Sequence, residues 1–60
     1  LNIYFMTLLE LCDWYTAQAL SPSSQVKVRE DIFNLCIEYL IEDNPKLSTV
    51  KKLKEFFGKN

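Results

Sequence analysis

The chain has no histidine and a single glycine among its sixty residues. The first absence removes the commonest general base and the commonest metal ligand. The second rules out a glycine-rich phosphate loop or a P-loop, each of which needs several glycines where backbone approaches a phosphate closely. Cysteine is also scarce. Two cysteines without histidine fall short of the four Cys or His ligands of a structural zinc site. The serines Ser21, Ser23, Ser24 and Ser48 all sit where a turn or a helix cap accounts for them. An enzyme is therefore not expected, and neither is a cofactor, a metal or a small-molecule substrate.

Long apolar runs are missing too. Asn2, Thr7, Glu10, Asp13 and Gln18 interrupt the apolar first third, so no stretch approaches the ~20 residues that span a bilayer. No basic segment precedes that third, which argues against a signal peptide. Beginning at Leu1 rather than methionine, the chain reads as a fragment or domain of a longer protein. The expected setting is intracellular, cytoplasmic or nuclear, with reduced thiols. Cys12 and Cys36 then act as small buried hydrophobes, and a disulfide between the helices that carry them is the minority alternative.

What is present is apolar bulk. Hydrophobic residues make up 48% of the chain and aromatic residues 13%, a rich content for so small a body. A chain of this length hides only about 60% of its unfolded surface, and with no other staple such scaffolds are commonly completed by association.

The pattern is helical throughout. Ser21-Pro22 and Asn44-Pro45 bracket a stretch with two apolar seams at spacings of three and four. One seam is Val28, Ile32, Leu35 and Tyr39, and the other is Val26, Phe33, Ile37 and Leu40. Serine followed by proline suits an N-cap and first helical position, and a residue before proline suits a helix end. These marks predict a helix over 22–43.

A first helix is expected over 2–20, with Asn2 as candidate cap and Tyr4, Leu8, Leu11, Tyr15 and Ala19 facing the core beside Cys12. Its other sides are not cleanly polar. Ile3, Met6 and Trp14 lie among the polar residues, and Phe5, Leu9 and Leu20 form a further apolar patch, which signals burial on more than one side.

A third helix is expected over 46–57, capped by Asn44 or by Ser48. Leu47, Val50, Leu53 and Phe57 form its apolar edge, Phe56 points elsewhere, and Gly58 offers a left-handed C-cap. The expected architecture is an all-α antiparallel three-helix bundle, a helical hairpin plus a shorter third helix, completed by dimerisation.

Charge divides along the chain. Residues 1–45 carry two basic and seven acidic side chains, whereas residues 46–60 carry five lysines against Glu55, and the total is −1. Such a balance implies neither nucleic acid nor an anionic membrane. The acidic row Glu30, Asp31, Glu38 and Glu42 follows the polar side of the second helix and reads as a solvated face.

The function expected from these features is protein–protein interaction. Homodimerisation through apolar faces of the first and second helices comes first, with Ile3, Met6, Trp14, Val28, Ile32, Leu35 and Tyr39 as candidate interface residues. One alternative is a regulatory or nucleic-acid-binding domain that contacts phosphates through Lys46, Lys51, Lys52 and Lys54. Against it stand the pI near 5.2 and the absence of arginine from that cluster. A further alternative is an adaptor that docks an amphipathic helix of another protein.

Overall fold

The computed structural model describes residues 6–22 and 28–58. They form three α-helices, α1 (Leu8–Leu20), α2 (Glu30–Ile41) and α3 (Leu47–Gly58), with no strand among the described residues. The helices pack on one another around one core.

The start of α1 is fixed by local chemistry. Thr7 is extended, and its hydroxyl accepts from the Glu10 N–H at 3.1 Å. The Glu10 carboxylate in turn accepts from the Thr7 N–H at 3.0 Å, which completes a capping box. α1 therefore starts at Leu8 and not at residue 2 as the periodicity suggested. Asn2, the cap candidate, lies outside the described residues, as do Ile3, Tyr4 and Phe5.

The start of α2 differs more from expectation. Ser21 does not open α2; it is extended and closes α1, its N–H donating to the Gln18 carbonyl at 3.3 Å. Pro22 lies in the turn that follows. Val28 and Arg29 precede α2, so Val28 is not helical, and Val26 lies outside the described residues. Arg29 holds the N-cap position with extended backbone and no side-chain cap. Its N–H is met from another element: it donates to the Tyr15 hydroxyl at 3.2 Å.

α2 leaves the helix at Glu42, two residues before the expected end, because Glu42 is already extended while its N–H still donates to Glu38. The first turn of α3 closes on the Lys46 carbonyl, which accepts from the Val50 N–H at 3.1 Å. Lys46 therefore takes the position that Asn44 or Ser48 was expected to fill. Gly58 is the last helical residue and has no positive φ, so the expected left-handed C-cap is absent there. Helix continues through Gly58 at the cost of glycine's lower propensity.

The core draws Leu11, Cys12 and Tyr15 from α1, Ile32 and Cys36 from α2, and Leu53 and Phe57 from α3. Leu53, Cys12 and Cys36 are fully enclosed. The buried polar groups are satisfied. Thr16 donates its hydroxyl to the Cys12 carbonyl at 2.8 Å, and Thr49 donates to the Glu38 carboxylate at 3.2 Å. That last bond ties the first turn of α3 to the end of α2.

At the opposite end of α2, three rings meet edge to face. Tyr15 lies 5.5 Å from Phe56 and 5.9 Å from Phe57, and the two phenylalanines are 5.2 Å apart. Edge-to-face pairs at such separations add to simple burial. Phe56 therefore joins the packing that sequence periodicity assigned to Phe57 alone.

Candidate functional site

The seven candidate interface residues are placed unequally. Ile3 lies outside the described residues. Ile32 is 5% exposed in the core of a single copy, so it is already used for folding and offers little to a partner. Met6, Trp14, Val28, Leu35 and Tyr39 are half-buried and pack against that core. Each keeps one side accessible, but none projects freely.

The large aliphatics that do project are others. Leu9 is 54% exposed, Leu20 70%, Ile41 72% and Leu47 84%. Leu9 and Leu20 are eleven residues apart, three turns of helix, and so share one flank of α1 about 16 Å apart along its axis. Both belong to the patch that the sequence placed between the core face and the polar side. On α2 the half-buried Ile37 and the exposed Ile41 are four residues apart and share the side that carries Glu30 and Asn34. The apolar spacing places Ile37 in a core seam and gives Ile41 no role. The signal that sets Ile41 apart is its angular distance from Ile32 and Cys36 around the helix. Leu47 was expected on the core edge of α3, but it is the first helical residue, where no neighbouring helix covers it.

The lysines do not form one surface. Lys52 lines a cleft between α2 and α3 with an apolar floor of Ile32, Leu35 and Phe56 and a rim of Arg29, Asp31 and Glu55. Two cations and two anions cancel on that rim. Arg29 also pairs with Asp31 at 2.9 Å, an exposed ion pair of small energetic weight. Lys51 and Lys54 border a separate depression with Leu47, Val50 and Glu55. Lys46 lies at a third, beside Glu38 and Glu42. Lys51, Lys52 and Lys54 thus share Glu55 as an acidic neighbour, and Lys46 has Glu38 and Glu42, whereas a nucleic-acid track needs uncompensated charge along one path.

Two titratable features depart from ordinary values. Glu10 is held below the usual carboxylate range, first by the Thr7 N–H and then by the Thr7 hydroxyl. The thiols of Cys12 and Cys36 share a hydrogen bond across the α1–α2 contact. That bond, then burial, then repulsion from Cys36 push the Cys12 thiol far above the normal thiol range. Cys36 is lowered by the same bond, with burial opposing. The pair can release one proton far more readily than a second.

Among the described residues no group of three or more His, Cys, Asp or Glu side chains could hold a metal ion. Among the same residues no helix is long and apolar enough to cross a membrane. No family model, curated protein or solved structure matches the chain. The surface that stands out is therefore chemical in a simple sense: aliphatic side chains with water on most sides, beside a core that is already closed.

Proposed function

We propose that this chain is a non-enzymatic protein–protein interaction module, an antiparallel three-helix bundle that associates with a second copy through apolar flanks of α1 and α2. One observation carries the reading: Leu9, Leu20 and Ile41 remain 54–72% exposed although the core beneath them is complete. Apolar area removed from water contributes roughly 25 cal/mol per Å², so these side chains favour association and add little to the fold of one copy. A standard interface covers about 800 Å² per partner. On a body with 4702 Å² of accessible surface, that area extends well beyond three side chains. The accessible sides of Trp14, Leu35 and Tyr39 are suited to contribute the remainder.

Sedimentation equilibrium over a wide protein concentration range, at moderate and high salt, tests this. The expected result is a dimer that persists at high salt and is weakened at least tenfold in Leu20→Gln/Ile41→Gln. Lys51→Glu/Lys52→Glu should leave the assembly nearly intact. A well-folded monomer at every concentration would overturn self-association and turn the search to a different protein as occupant of the same flanks.

A further inference from the structure

Cys12 and Cys36 sit twenty-four residues apart in sequence, yet they meet in the core. Each lies near the middle of its helix, is 0% exposed and is a free thiol. Both belong to the same buried core cluster, one from each of the two helices that pack most extensively on one another. Their meeting is a product of tertiary structure, since no local turn joins them. Packed helix axes lie about 8–10 Å apart and Cα atoms stand about 2.3 Å from each axis, which leaves about 3.4–5.4 Å between Cα atoms at a direct crossing. A disulfide asks for a Cα separation of about 4.4–6.8 Å. The upper part of the first range falls within the second, so two small side chains enclosed between helices packed in this way can be joined without moving the helices apart.

From this juxtaposition we infer that Cys12 and Cys36 are a site of intramolecular disulfide formation that links α1 to α2, with a small-molecule disulfide as oxidant. The enclosure of both sulfurs sets when the reaction happens. An oxidant as large as oxidised glutathione does not reach them in the closed body, so exchange occurs while α1 and α2 are apart. In the first step the thiolate of either cysteine attacks one sulfur of the oxidant. A protein–glutathione disulfide forms, the oxidant's S–S bond breaks, and the departing glutathione thiolate takes a proton. Closing the helices then brings the other cysteine onto the mixed disulfide. Its sulfur displaces the second glutathione, which leaves as a thiol with that cysteine's proton. The protein loses two electrons and two protons, and one glutathione disulfide becomes two glutathione thiols. The product is as enclosed as the thiols were, which protects it from reduction until the helices separate.

The inference is independent of the proposed association and fails separately from it. Its test is to refold the full chain in a mixture of reduced and oxidised glutathione, trap free thiols with N-ethylmaleimide, and measure intact mass under denaturing conditions. The expected product is a single chain two hydrogens lighter than the reduced protein, with no maleimide and no glutathione. Reduction with dithiothreitol should restore two maleimide-reactive thiols. Thermal unfolding of the oxidised form should rise by roughly 10 °C or more relative to the reduced form. The variants Cys12→Ala and Cys36→Ala should each halt at one glutathione on the remaining cysteine, which shows that each thiol resolves the adduct of the other. Two free thiols, glutathione adducts that persist on the natural chain, disulfides between chains, or an oxidised form that melts lower than the reduced form would each overturn it.

Discussion

The two ends of α2 use apolar side chains in opposite ways. Near its start, Tyr15, Phe56 and Phe57 stack edge to face, and the Tyr15 hydroxyl receives the Arg29 N–H. Near its end, Ile41 and Leu47 flank the connection to α3 and stand largely in water. The Thr49–Glu38 hydrogen bond ties the helices together there, beside the half-buried Tyr39 and Leu40. The aromatic end holds the three helices to each other, whereas the aliphatic end adds little to the monomer. Equal hydrophobicity therefore does not mean equal contribution. What decides it is whether a second element of the same chain lies across from the residue.

Substitutions can break or sharpen this contrast. The largest effect is expected at Leu53, which is fully enclosed between the ends. Leu53→Ala should cost about 2–5 kcal/mol in denaturant unfolding, through lost transfer energy and the cavity left behind. Tyr15→Phe keeps the rings but removes the acceptor of the Arg29 N–H. A loss of about 1 kcal/mol is expected, with faster amide exchange at Arg29. Thr7→Ala removes the capping box, and α1 should lose roughly 1 kcal/mol with fraying of its first turn.

At the aliphatic end, Leu47→Gln should change monomer stability by less than about 0.5 kcal/mol. A loss as large as that of Tyr15→Phe would erase the contrast between the ends. The smallest effect is that of acid on Glu10. Its carboxylate is held lower in the folded chain than its ordinary value of 4.5. The stabilisation it gives is therefore complete above that value and is lost as pH falls through the lower folded one. Protection of the Thr7 amide, its exchange relative to the intrinsic rate at each pH, should fall across that acidic window and stay constant above it.

The three helices and most of the core were legible in the sequence, because Leu11, Cys12, Tyr15, Cys36, Leu53 and Phe57 obey helical spacing on elements separated by proline-containing turns, whereas Ile32 was expected at the interface and lies in the core. Boundaries were less legible, for different reasons at different sites. Thr7 and Glu10 carry a readable capping box, but apolar periodicity running back towards residue 2 masked it. α2 has no such signature at all, since the group that meets its first N–H is the hydroxyl of Tyr15, fourteen residues away. Ser21 and Pro22 looked like an opening because their residue types suit one, yet the backbone uses Ser21 to close α1. For the candidate interface, spacing alone could not separate residues that face the core of one copy from residues that face outward. Ile32 and Ile41 look alike as apolar helix positions, and only the location of α1 and α3 distinguishes them.

The differing starts of α1 and α2 carry a consequence for how the two helices form. α1 meets its opening N–H groups with its own next residues, so its first turn can nucleate as soon as Thr7 through Leu11 exist. α2 borrows the corresponding group from α1. The N–H at its cap is satisfied only once Tyr15 has packed beside it, which couples the opening of α2 to the docking of α1. The beginning of the earlier helix is thus written in its own few residues, and that of the later one in the packed pair.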